Sequence, residues 1–137
     1  MSVTFDPSQT GVTTASLNFA DNAKIVGFQS VPLKGTGAAG KATASATSVA
    51  FNTVTAGTPV TKLVTVTNAG DAQLDVTPSI MGAATADFTI DPATTTCKLL
   101  APGASCTIAV KLNPTAIGAR WATLEIPNDT GVNTVWP

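Results

Sequence analysis

The chain has 137 residues, room for one ordinary domain and about a third of another. Apolar residues make up 44%, charged residues only 11%, and the net charge is -1, which excludes disorder driven by charge and leaves enough apolar material for a packed core. The Lys and Arg residues are scattered from Lys24 to Arg120, which speaks against a nucleic-acid partner, and the absence of His removes His-based acid–base chemistry, triads and metal sites.

Thr, Val, Ala, Ser and Gly dominate, and apolar residues recur at every second position, the period of a half-buried strand. In chain order, Ala15, Leu17 and Phe19 alternate with Ser16 and Asn18, and shorter runs follow at Val49 with Phe51, Val64 with Val66, Leu74 with Val76, and Phe88 with Ile90. Cys106, Ile108, Val110 and Leu112 then alternate with Thr107, Ala109 and Lys111, and Ala122, Leu124 and Ile126 with Thr123 and Glu125. Turn residues punctuate these runs at Ala56-Gly57-Thr58-Pro59, Asn68-Ala69-Gly70-Asp71, Ala101-Pro102-Gly103-Ala104 and Asn128-Asp129-Thr130-Gly131. Strands at intervals near ten residues without an amphipathic helix predict an all-β, immunoglobulin-like antiparallel β-sandwich. No apolar stretch approaches the roughly 20 residues of a membrane-spanning helix, so no membrane span is expected. The opening Met1-Ser2-Val3-Thr4-Phe5-Asp6 shows no positive segment followed by an apolar one, as a secretory leader would.

Pro102 presets φ for the first central position of a turn and Gly103 tolerates positive φ at the second, so a type II turn is expected there. The reversal brings Cys97 and Cys106 alongside each other, either bonded or as two buried free thiols. A bond closing so small a loop contributes on the order of 2 to 3 kcal/mol. A zinc site is not expected, since structural zinc takes four ligands and neither His nor a third Cys exists.

The chain repeats itself. A shift of 107 positions lays Val3, Pro7, Gly11, Ala15 and Leu17 on Val110, Pro114, Gly118, Ala122 and Leu124 as identities, with Phe5 on Leu112 and Phe19 on Ile126. These are strand, turn and Pro-to-Gly positions, where backbone restriction and inward packing dictate the residue. Farther on, Ser30-Val31-Pro32 resembles Thr134-Val135-Trp136-Pro137. Residues 1–37 are therefore read as the C-terminal strands of a preceding repeat, 38–44 as a linker, and 45–137 as a sandwich lacking the end of its last strand. Residues 1–37 cannot bury their inward faces alone. Either the natural protein extends beyond both ends, or neighbouring chains complete one another by strand complementation.

Ser48-Val49-Ala50-Phe51-Asn52-Thr53-Val54, Val64-Thr65-Val66-Thr67-Asn68-Ala69-Gly70, Leu99-Leu100-Ala101-Pro102-Gly103-Ala104-Ser105-Cys106 and Asn113-Pro114-Thr115-Ala116-Ile117-Gly118 together resemble the bacterial choice-of-anchor D repeats. These belong to the wider abnormal-spindle and hydin-like group of immunoglobulin-like domains. The resemblance implies a β-sandwich repeated in tandem in exported or surface proteins, with a disulfide in the loop before a late strand. It implies a structural or adhesive role, with no catalytic residue, metal or cofactor to carry over. The expected partners are neighbouring repeats or subunits of the same protein and other surface or envelope proteins. The expected location is extracellular, cell-surface or periplasmic.

Asp71, Asp75, Asp87 and Asp91 fit no calcium-loop spacing and are read as turn and strand-edge residues that keep a sheet soluble. Without His or a well-placed Lys base, no Ser or Thr stands out as a nucleophile, and an enzyme is not expected. Trp121 falls on the face opposite Ala122, Leu124 and Ile126, which makes Arg120 and Trp121, with Trp136, the candidate contact residues. The plainer reading is that a neighbouring repeat or loop covers the Trp121 ring.

Overall fold

The computed structural model describes residues 1–20, 28–128 and 131–135. The chain divides into two compact units, Met1–Ala38 and Ala39–Pro137. The described residues contain no helix, hence none long and apolar enough to cross a membrane.

In the first unit, β1 (Gly11–Ala20) and β2 (Phe28–Gly37) form an antiparallel hairpin in which Ala15 faces Leu33, Leu17 faces Val31 and Phe19 faces Gln29. Directly opposed residues share a sheet face. Ala15, Leu17, Phe19, Val31 and Leu33 therefore line one side, while Ser16, Asn18, Ser30 and Lys34 line the other. The Phe5 ring lies over Gly35, where an added Cβ would stand 2.5 Å from it.

The second unit contains β3 (Ala42–Ala44), β4 (Val60–Asn68), β5 (Leu74–Asp75), β6 (Ser79–Met81), β7 (Phe88–Ile90), β8 (Leu99–Leu100), β9 (Ser105–Leu112), β10 (Thr123–Asn128) and β11 (Gly131–Val135). One sheet runs in the order β3-β4-β9-β7, a second in the order β11-β10-β6, and β5 pairs with β8. Taken in chain order, this is the four-plus-three arrangement of a constant-type immunoglobulin sandwich. Alternation places Val64 and Val66 of β4, and Ile108, Val110 and Leu112 of β9, against Leu124 and Ile126 of β10 and Val135 of β11. Phe88 closes one end of this core with its ring edge-on to Phe51, centroids 5.6 Å apart.

Three local features depart from the alternating pattern. The stretch 38–44, expected as a linker, carries β3, whose Ala42 pairs with Asn68 and is buried in the core; so short and Ala-rich a strand has almost no alternation to read. Val49 and Phe51 pack half-buried against the core without forming a strand. Asn52, with φ +56°, turns the chain immediately afterwards. Ala109, expected to face water, is buried because the segment after β7 lies along β9: Asp91 N–H donates to Ala109 O at 2.9 Å, and Ala109 N–H donates to Thr95 Oγ1 at 3.1 Å.

The two hairpins of the chain correspond in register. Leu17 faces Val31 in the first, and Leu124 faces Val135 in the second. Likewise Phe19 faces Gln29, and Ile126 faces Asn133. Two glycines at corresponding places, Gly11 opening β1 and Gly118 ahead of β10, have the same left-handed backbone, φ +106° and +110°.

Candidate functional site

At one end of the sandwich, the loop from β9 to β10 is held down by Asp87, which precedes β7. Asp87 Oδ1 accepts hydrogen bonds from Thr115 N–H at 3.1 Å and Thr115 Oγ1 at 2.9 Å, while its backbone oxygen accepts from Asn113 N–H at 2.8 Å. Arg120 Nε lies 2.8 Å from Asp87 Oδ2, but its N–H is not aligned on that oxygen, so the contact is chiefly ionic. The Arg120 guanidinium also donates to Ala119 O and Ile117 O at 3.3 and 3.4 Å. Thr115's hydroxyl holds the Asp87 carboxyl below its ordinary pKa of 3.8, against the opposing effect of burial, with Thr115 N–H and Arg120 adding to the shift.

Asp87 was expected among the solvent-facing acids, and the structure corrects this: it is buried. A buried carboxylate persists where donors and a cation surround it, and here those lie 28 and 33 positions further along the chain, beyond the reach of a local pattern. The same pairing changes what Arg120 offers outward, since its guanidinium is engaged inside the loop. Trp121 remains 66% exposed, and Ile117, which sequence reasoning did not single out, is exposed as well. With Phe51, Val54 and Pro114 they border an open groove of about 540 Å³. Trp136 lies outside the described residues.

The remaining candidates serve the frame. Cys97 and Cys106 are bonded, with Cα atoms 4.9 Å apart, and fasten the segment after β7 to the edge of β9 beside the core. Next to them, Thr96 N–H donates to Thr107 O at 2.9 Å, and Thr107 N–H donates to Thr96 Oγ1 at 3.0 Å. Pro102 and Gly103 form the expected turn, with Gly103 at φ +76° and Ala104 N–H donating to Ala101 O at 3.0 Å. Pro114 is buried, its oxygen accepting from Gly57 N–H at 2.9 Å. Gly118 ends the bend ahead of β10, and at the equivalent places Pro7 precedes β1 and Gly11 opens it.

Asn68, read from sequence only as a turn residue, is the most densely bonded polar side chain at the opposite end. Its Oδ1 accepts from Lys41 N–H at 3.1 Å and Gly70 N–H at 3.0 Å. Its Nδ2 donates to Ala72 O at 2.8 Å and Leu100 O at 3.0 Å. Its backbone completes the knot, N–H donating to Ala104 O at 2.9 Å and O accepting from Gly103 N–H at 2.8 Å. One fully buried amide thus ties the start of β3, the turn after β4, β8 and the Pro102 turn together. Among the described residues, no three of His, Cys, Asp and Glu come together to hold a metal ion.

A family model described as abnormal spindle-like microcephaly-associated, ASPM-SPD-2-Hydin (ASH), matches residues 38–135. No curated protein matches the chain. Among solved structures, a Porphyromonas gingivalis W83 protein of unknown function is similar at a TM-score of 0.59 and 14% identity, over 96% of this chain. The chain spans 66% of that protein's length. The secreted serine protease VesC from Vibrio cholerae is similar at a TM-score of 0.45 and 25% identity, over 61% of this chain and 19% of the protease.

Proposed function

Because the chain belongs to the ASPM-SPD-2-Hydin family of immunoglobulin-like domains, we propose that it is a non-catalytic structural module, one of a tandem series in a larger exported or surface-associated bacterial protein of the choice-of-anchor D kind. The observation that carries this reading is the recurrence of one hairpin twice in the chain, with a common register and a left-handed glycine at corresponding places. A sandwich repeated end to end spaces or displays other parts of a protein, and its neighbours limit bending. Asp87 and Arg120 are spent on the frame, where they neutralise each other while pinning a loop. The Cys97–Cys106 bond supports an oxidising compartment. The test is replacement in the parent protein: an unrelated rigid sandwich of equal end-to-end length put in place of residues 39–135 leaves assembly and display intact. Loss of display with the substitute refutes the structural role.

A second reading, adhesive recognition of carbohydrate or a protein partner, draws on the exposed Trp121 and Ile117 at the groove. Under it, Trp121→Ala abolishes attachment while leaving the module folded.

A further inference from the structure

The first hairpin presents an apolar face that Phe5 covers at the Gly35 end and that, among the described residues, is open around Phe19 and Val31. Phe19 is 40% exposed and Val31 is 45% exposed, whereas the residues in the same places of the second hairpin, Ile126 and Val135, are 0% and 3% exposed. The residues leading into β1 tell the same story: Val3 is 55% exposed, and its counterpart Val110 on β9 is 6% exposed. In the second unit Ile126 and Val135 pack against the sheet β3-β4-β9-β7, to which Val110 itself belongs. An isolated two-stranded hairpin is marginal in water, so a face of this composition stabilises the fold only when covered.

We propose that this face docks onto a four-stranded apolar sheet of the same kind as β3-β4-β9-β7, belonging to a sandwich module that lacks its own last hairpin. The inference rests on the repeat underlying the proposed function, and it adds the identity of the hairpin's partner. Three features fit that occupant. The inward residues Ala15, Leu17 and Phe19 reproduce Ala122, Leu124 and Ile126 in order and near size. The facing strand matches through Val31 and Val135, opposite Leu17 and Leu124 respectively. Val3 and Phe5 sit where Val110 and Leu112 end β9, so this segment brings the last residues of the sheet strand as well as the hairpin. A complete second copy of this chain is the poorer occupant. Its sheet is already covered by β10 and β11, and insertion would expose one apolar hairpin for each one it buries.

The chain's own sequence supplies the probe. Residues 39–109 are fused directly ahead of Val3, so that Ala109 is followed by Val3 as it is by Val110 in the native chain. Amide hydrogen exchange is followed in β1 and β2 of the fusion and of the unfused chain. Docking slows exchange of the hairpin-bonded amides by at least about a hundredfold, as these pass from a locally opening hairpin to a core element. Leu17→Asp in the fusion returns them to the unfused rate while the amides of β4 and β9 in the second unit keep theirs. Equal exchange in the fused and unfused chains, whether the added strands fold or not, overturns the proposal, as does full protection in the Leu17→Asp fusion. This outcome is independent of the replacement experiment, which removes residues 39–135 and reads display. Failure of docking with display retained by the substitute module leaves the structural role standing.

Discussion

Replacing Asn68 by Ala deletes four hydrogen bonds at once, to Lys41 N, Gly70 N, Ala72 O and Leu100 O. At a net value of about 1 kcal/mol each, the expected loss is about 4 kcal/mol, a large fraction of the roughly 5–15 kcal/mol by which a domain is stable. Asn68→Asp separates the two halves of the network. Its carboxylate still accepts from Lys41 and Gly70, but the second oxygen now faces the carbonyls of Ala72 and Leu100, which the amide had reached at 2.8 and 3.0 Å. Neutral carboxylic acid can donate to one of those carbonyls, so folding raises the pKa of the introduced acid above its unfolded value of about 3.9. A raised folded pKa means stability that is present below the unfolded value and is lost as pH rises through the folded one. The deficit of Asn68→Asp relative to the unsubstituted chain is therefore smaller at pH 3.5 than at pH 7. Urea denaturation of the three proteins at both pH values measures this, the unsubstituted chain at each pH correcting for all other carboxylates. An Asn68→Ala loss below about 1 kcal/mol, or an Asn68→Asp deficit equal at both pH values, refutes the assignment of Asn68 as the tie between these segments.

Reduction of Cys97–Cys106, or its replacement by two Ala, lowers stability by about 2.5 kcal/mol for a loop of this length, measured by urea denaturation as a fall in the extrapolated unfolding free energy. Ile126→Ala, at a fully buried core position, costs about 3 kcal/mol, whereas Trp121→Ala, at an exposed one, changes stability by less than about 0.5 kcal/mol in the same assay. The folded-state pKa of Asp87 is depressed, so its contribution is present above the ordinary value of 3.8 and disappears as pH falls through the folded value. Asp87→Asn accordingly flattens the acid limb of the stability profile, and an unchanged limb by acid titration of Trp fluorescence contradicts the pairing with Thr115 and Arg120.

What was legible in the sequence follows the physics of each signal. The long strands β9 and β10 announce themselves because one face meets a core and the other water, and β1 carries the same alternation in its sequence. The Pro102–Gly103 turn is legible because both residues restrict or permit φ by their covalent structure. The correspondence of β1 with β10 is visible as identities at a shift of 107, since inward packing and a left-handed glycine leave few residue choices there, whereas β2 and β11 match at a shift of 104, through Val31 and Val135. The polar ties are different in kind. Asn68 and Asp87 owe their importance to partners up to 32 and 33 positions away, and neither spacing carries a period. A one-dimensional reading sees an Asn before Ala-Gly and an Asp before a strand, both ordinary turn chemistry.

The two ties divide the work of the sandwich between its ends. Asn68 gathers β3, β8 and the Pro102 turn at the end where the second unit begins. Asp87 fixes the loop into β10 at the other, so that Ala122, Leu124 and Ile126 start in register with the core. In the first hairpin the positions equivalent to Thr115 and Arg120 are Ser8 and Thr13. A hydroxyl donor is retained there while the cation is not, so an Asp in a sheet docked on that hairpin would have Ser8 to bind but no Arg to neutralise it. In the second unit apolar packing therefore holds the last hairpin to its sheet, while the Arg120 latch, for which the first segment has no counterpart, fixes the loop ahead of it. Arg120→Thr, which gives the second unit the residue of the first, tests that division: it raises the pKa of Asp87 toward its ordinary value while leaving the exchange protection of Leu124 and Ile126 in place, and loss of that protection makes the latch part of what holds the hairpin down.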